Sequence, residues 1–218
     1  SIFNCISGVY RPQRGEIRRR EESSTAVDGT RGGSGMPLGV ALARAQQRAQ
    51  ADPDAALADL DALRSAHPRN PALAGERARI LLRLGRDDEA RQGAAEAIRL
   101  ALAGGAGPIA FDVFTAFAPH APLLGLDAAT HEQLAKILMQ RQEFDGAAWC
   151  FRAVATLGGD ALAAQKGILS VADAALRAGQ PDRAAELYES FLRTFPGSSL
   201  EGHAVDGLGR TRRVGAGA

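Results

Sequence analysis

Four histidines, two cysteines and scattered carboxylates are the residues of this 218-residue chain that could support acid–base, nucleophilic or metal chemistry. Their spacing argues against all three. His67, His120, His131 and His203 form no His-Glu-x-x-His pattern, and Cys5 and Cys150 form no Cys-x-x-Cys pattern. His67 and His120 abut Pro or Ala and read as solvated loop histidines. His131 with Glu132 and Glu143 offers one imidazole and two carboxylates to a metal, but such isolated matches rarely hold up, and no metal is expected. Cys150 sits beside Trp149 with no His within a helical turn, which suits a small core residue better than a nucleophile. No Gly-x-Ser-x-Gly occurs. Asp59 and Asp61, and the run Asp87-Asp88-Glu89, read as helix-surface or first-turn charges that suit the helix dipole. No constellation for catalysis emerges, so neither an enzyme nor a cofactor is expected.

The elements carrying these residues are foreshadowed by composition. Hydrophobic residues make up 45% of the chain and charged residues 23%, enough for a sizeable core. Aromatics are only 5%, whereas 44 residues are alanine. That balance favours helices packed through small residues over a sandwich or barrel. Net charge is +1, from 26 basic and 25 acidic residues, which removes a strong electrostatic case for nucleic acid or an anionic membrane. Only Lys136 and Lys166 among the cations are lysines, a bias of GC-rich, bacterial coding rather than of arginine chemistry. No apolar run approaches the length of about 18 residues that spans a bilayer. Ser1–Ser7 lacks the basic and apolar regions of a signal peptide. A cytoplasmic, reducing location is expected, and the start without Met suits a fragment.

Composition also divides the chain. Residues 1–36 read as a flexible leader: an apolar start, the charged run Arg18-Arg19-Arg20-Glu21-Glu22, then a Gly/Ser-rich linker. From Pro37 the sequence turns to Ala and Leu at helical spacing. Small residues followed four and seven positions later by further core residues recur at Ala56, Ala90, Ala147 and Ala184, with spacings of 34, 57 and 37. Two helix-pair units are expected over 37–102. A Gly/Pro/Phe-containing insert follows over 103–127, with Phe111, Phe114 and Phe117 on one face of a short helix, as a plug between pairs or a docking ridge. Two more units and a capping helix are expected over 128–210, and a disordered tail over 211–218.

The spacing of 34 and the turn residues resemble the tetratricopeptide repeat family. Gly85 and Gly179 match the family's turn between paired helices, where Gly supplies a left-handed conformation. Ala78, Ala135 and Ala172 match the small crossing residue of first helices. Phe144, Phe151, Tyr188 and Phe191 match bulky positions of second helices, and Pro68 and Pro196 the repeat-ending Pro. The first unit departs from this pattern with Arg44 at the crossing and Ala51 at the turn, the third with Gln142 at the turn, and the signature Trp of first helices is absent. The resemblance implies an all-α fold of antiparallel helix pairs, an α-solenoid. It also implies a non-catalytic interaction scaffold whose first helices line a concave face.

On that face the expected partner-binding residues are Arg48, Arg79, Arg83, Lys136, Met139, Lys166 and Arg177. They would make a mildly basic groove for an acidic peptide or a free C-terminus, with no nucleic acid, membrane insertion or small-molecule substrate. Solvated surface charge is the alternative. Asparagines are missing from the first helices, against a clamp that holds a peptide backbone by Asn side chains. Residues 1–17, SIFNCISGVYRPQRGEI, resemble another family, the ATP-binding subunits of branched-chain amino-acid ABC transporters. There this segment follows the phosphate-binding loop. That loop, its Lys and the downstream motifs are absent here, so this resemblance implies a truncated or fused remnant without ATP binding.

Overall fold

The computed structural model describes residues 36–215. Residues 1–35 and 216–218, and with them most of the expected leader, the transporter-like segment and the end of the tail, lie outside the described residues. Among those described are ten α-helices, one 3-10 helix and no strand. They are α1 (Leu38–Arg48), α2 (Pro53–Ala66), α3 (Pro71–Arg83), α4 (Asp87–Ala103), α5 (Gly107–Ala116), a 3-10 turn (Ala118–Leu123), α6 (Ala128–Gln140), α7 (Phe144–Thr156), α8 (Ala161–Arg177), α9 (Pro181–Thr194) and α10 (Glu201–Gly215). The fold is all-α. Helices pack in sequential pairs, α1 with α2, α3 with α4, α6 with α7 and α8 with α9, and each pair stacks on its neighbour.

Small residues hold each pair together. Ala56, Ala90, Ala147 and Ala184 of the second helices, and Ala78, Ala135 and Ala172 of the first, are all 0% exposed. A methyl at each crossing lets two backbones approach closely, so the core forms by dispersion contact over short distances. Phe144, Phe151, Tyr188 and Phe191 are buried, and Phe151 and Tyr188 pack against the helix that follows their own pair, at Gly167 and Gly207.

Three first helices, α3, α6 and α8, begin on side-chain caps. Asn70 accepts from the Ala72 and Leu73 N–H at 2.9 and 3.2 Å, Asp127 from Thr130 at 2.7 Å, and Asp160 from Ala163 at 2.9 Å. Each such cap is worth about 1 kcal/mol. The bond from Thr130 also holds the Asp127 carboxyl below the ordinary carboxylate range.

The same three helices end on a left-handed residue: Gly85 at φ 72°, Gln142 at φ 61° and Gly179 at φ 75°. The following N–H then reaches back five residues, Arg86 to Leu81 at 3.0 Å, Glu143 to Leu138 at 2.9 Å and Gln180 to Ala175 at 3.0 Å. Gln142 adopts the same turn as the glycines despite its Cβ, which costs about 1–2 kcal/mol. Gln142→Gly is therefore expected to raise stability by about 0.5–1 kcal/mol, the gain being reduced by the greater freedom of an unfolded glycine. Urea titration followed by helical circular dichroism measures this, and an unchanged or lower midpoint would show an unstrained turn.

The first pair differs from expectation. Arg44 is exposed, and Ala45 and Ala49 are the buried residues of this face. The connection between α1 and α2 has four residues, 49–52, against three at 84–86, 141–143 and 178–180. Asp52 caps α2 ahead of Pro53, with its carboxylate on the Ala55 N–H at 2.9 Å. Counting back twelve residues from Ala56, as at the other crossings, reaches Arg44, but the buried residue is its neighbour Ala45, which spares the core a guanidinium.

The segment 103–127 is also helical. α5 packs on both α3 and α4, as a first helix would, and the 3-10 turn stands where a second helix would follow. This extra element accounts for the long step between Ala90 and Ala147. Phe114 and Phe117 are fully buried. Phe111 is half-buried under the Arg141 guanidinium, which lies 5.2 Å from the ring centroid. At the other end α10 runs to Gly215, beyond the expected helix end at 210, because Thr211 is buried and its hydroxyl donates to the Leu208 carbonyl at 2.9 Å.

Candidate functional site

Two of the seven expected residues meet in one place. Arg79 and Arg83 lie one turn apart on α3 and face Gln46 and Gln50, one turn apart on α1. Between them is an open depression of about 450 Å³ that Glu76 and Leu82 also line. Glu76 is only 8% exposed and accepts from Gln46 Nε2 at 3.1 Å and from Arg79 Nη1 at 3.4 Å. Arg83 is exposed and makes no ion pair among the described residues. The depression therefore holds one compensated guanidinium, one uncompensated guanidinium, two carboxamides and an apolar floor. Guanidinium forks match carboxylates, and carboxamides both donate to and accept from a peptide backbone.

The other five residues stand apart. Arg48 points to α2 and pairs with Asp59 at 2.9 Å. Lys136 pairs with Glu132 on its own helix at 2.7 Å. Met139 is half-buried and packs on the core. Lys166 and Arg177 are exposed near opposite ends of α8, Arg177 close enough to Tyr188 to act on its hydroxyl. Gln46, Gln50, Glu76 and Leu82 escape sequence reasoning because which residues of α1 and α3 face each other depends on how the two helices are rotated against one another.

Two further titratable groups lie in the core. The His131 ring is buried edge-on against Trp149, at 5.3 Å between centroids, and burial lowers its pKa to about 4. The Cys150 thiol is fully buried, and burial pushes its pKa well above the ordinary value. Among the described residues no group of three His, Cys, Asp or Glu side chains could hold a metal.

Asp173 on α8 anchors α10. It accepts from the Tyr188 hydroxyl at 2.5 Å and from Arg210 Nη2 at 2.8 Å, and meets His203 Nε2 at 2.9 Å. Partial burial acts to raise its pKa, but hydrogen bonds from Tyr188, His203 and Arg210 outweigh it and hold the carboxyl below its ordinary range. Tyr188 lies beneath α10, so this cluster seats that helix on α8 and α9. Among the described residues no helix is long and apolar enough to cross a membrane.

Several solved structures are similar to this chain, three of them as follows. A crystal structure of MamA protein shares 15% identity over 72% of this chain and 92% of that one, with a TM-score of 0.29. A MamA fragment from Desulfovibrio magneticus RS-1 shares 15% identity over 72% of this chain and 96% of that one, with a TM-score of 0.26. TTC0263, a tetratricopeptide protein from Thermus thermophilus, shares 19% identity over 81% of this chain and 97% of that one, with a TM-score of 0.26. No curated protein matches. The tetratricopeptide repeat profile matches residues 39–106 and 132–199, more than half of the chain. Both segments stop short of residues 1–17, and nothing in these comparisons supports the transporter resemblance of that stretch. Profile, paired helices, small-residue crossings and left-handed turns agree: the chain belongs to the tetratricopeptide repeat family.

Proposed function

We propose that the protein is a non-catalytic interaction scaffold that takes an extended, acidic or C-terminal peptide on its first-helix face, centred between α1 and α3. The observation that carries this reading is the depression in which Arg79 and Arg83 oppose Gln46 and Gln50. A ligand carboxylate sits on Arg83 and the free edge of Arg79. Its neighbouring backbone amide pairs with the Gln46 or Gln50 carboxamide, and an apolar side chain covers Leu82. Glu76 sharpens the choice: it neutralises part of Arg79 and repels a carboxylate placed one turn too far toward the start of α3. The wider set of Lys136, Lys166 and Arg177 contributes a general attraction for acidic chains that weakens with salt.

A charge-assisted bond is worth roughly 1.5–3 kcal/mol when shielded and much less at an exposed rim. Arg79→Ala with Arg83→Ala is expected to weaken binding at least about tenfold, or 1.4 kcal/mol. Arg83→Ala alone removes the uncompensated charge and leaves the Glu76 pair intact, so it accounts for most of the loss without touching stability. The measurement is fluorescence anisotropy against a peptide array carrying acidic, neutral and basic sequences with free or amidated C-termini. Acidic or free-carboxylate peptides bind the wild type best. Equal binding by wild type and double variant would place recognition elsewhere.

A further inference from the structure

Helix α10 has the register of a first helix, and among the described residues no second helix packs beside it. Its docking contacts repeat those of α8. A Cβ on Gly167 would strike the Phe151 ring, and a Cβ on Gly207 would strike the Tyr188 ring. Phe151 and Tyr188 each stand four residues after the crossing alanines Ala147 and Ala184. Ala164, Gly167 and Val171 thus correspond to Ala204, Gly207 and Thr211, and all six are buried. The same register matches Ala172, where α8 receives its second helix, with Arg212. Arg212 is exposed, so α10 carries a cation where a small residue would admit a partner helix.

The face opposite the docking contacts is a polar stripe with both charge signs. Val205, Asp206, Gly209, Arg212 and Arg213 share it at helical spacing. Val205 is 56% exposed, a Cβ on Gly209 would meet nothing within 4 Å, and Val205, Asp206, Gly209 and Arg213, together with His203 and Arg210 at its edge, line an open depression of about 640 Å³. Asp206, Arg212 and Arg213 make no ion pair among the described residues.

We propose that this face is a self-association surface, on which α10 of a second copy packs antiparallel with Gly209 against Gly209. The argument is charge complementarity. Asp206 and Arg213 are seven residues apart, two helical turns, and flank Gly209 on one side of the stripe. A two-fold axis through Gly209 places Asp206 of each copy beside Arg213 of the other. Val205 and Arg212 flank Gly209 on the other side, so the same axis lays the Arg212 methylenes over the exposed Val205. Gly209 at the axis admits the close approach. A parallel pairing would set Arg213 against Arg213 and Asp206 against Asp206, so the charges select the antiparallel arrangement.

The test is sedimentation equilibrium of the full chain over about 1–100 μM at low and high salt, the range in which a weak homodimer forms and dissociates. A dimer is expected, weaker at high salt. Asp206→Arg or Arg213→Asp alone should raise its dissociation constant at least about tenfold, since each sets like charges together twice. The double variant Asp206→Arg with Arg213→Asp should restore the wild-type constant to within about threefold, because the pairs re-form with signs exchanged. Circular dichroism at each step confirms that α10 remains folded. A chain that stays monomeric throughout overturns the proposal, as does a dimer whose constant ignores the single changes or is not rescued by the double change.

Discussion

Replacing Gly167 by valine is expected to destabilise the fold by at least about 3 kcal/mol, at the upper end of overpacking costs. α8 crosses α7 here with no side chain between its backbone and the Phe151 ring. An added Cβ would lie 2.5 Å from two ring carbons and 2.7 Å from a third, far inside van der Waals contact. The ring is only 6% exposed and cannot swing into solvent. Alanine at this site would gain about 1 kcal/mol of helix propensity and still lose about 1–3 kcal/mol to overpacking. Valine brings two further methyls and little propensity gain. Two comparisons make the cause specific. Gly202→Ala in α10, where a Cβ meets nothing within 4 Å, should be neutral or stabilising by about 0.5 kcal/mol. Phe151→Leu combined with Gly167→Ala should be more stable than Gly167→Ala alone, because the smaller side chain vacates the space. Urea unfolding monitored at the helical band measures all four variants. A Gly167→Val midpoint equal to wild type would mean that α7 and α8 are not in close contact.

Much of this architecture is legible from spacing because the constraints are local. Ala78, Ala135 and Ala172 stand a fixed number of residues before Ala90, Ala147 and Ala184, and two helices joined by a three-residue turn must cross at such pairs. Gly85 and Gly179 mark left-handed turns by residue type, and Gln142 marks one only by its position between them. The shift of α1 is not legible in this way. Arg44 occupies the expected crossing by count, yet the structure buries Ala45 and leaves Arg44 exposed. The aromatic trio of α5 shows the same limit. Equal spacing suggests one face, yet Phe114 and Phe117 fill the core while Phe111 meets Arg141, and only the packing of α5 on two helices decides which. The candidate site divides likewise. Arg79 and Arg83 follow from their offset after Ala78. The pairs Arg48–Asp59 and Gln46–Glu76 depend on how two helices are rotated against each other, which no single-helix pattern contains.

Acid should expose a weakness at His131. Its ring lies in the core against Trp149, 4% exposed, and Nδ1 has no hydrogen-bond partner. Burial disfavours the charged ring and lowers its pKa to about 4, against the attraction of Asp127, which acts the other way. Above about pH 6.5, the ordinary histidine value, neither folded nor unfolded chain is protonated here, and His131 makes no demand on stability. As pH falls below that, the unfolded chain takes up a proton that the folded chain refuses, so stability declines. The loss proceeds at about 1.4 kcal/mol per pH unit until the folded pKa is reached, about 3 kcal/mol in all. His131→Phe keeps an aromatic edge against Trp149 and removes both the titrating group and the unpaired nitrogen. At pH 7 it should be at least as stable as wild type, since a buried polar atom without a partner costs about 1–3 kcal/mol. Between pH 7 and pH 4 it should lose about 3 kcal/mol less than wild type, the remaining decline coming from groups such as Asp127 and Asp173, whose carboxyls are held below their ordinary range. Urea titrations of both proteins at half-unit steps of pH give the two curves. Parallel curves would mean that the imidazole reaches water in the folded state and that the core around Trp149 is open.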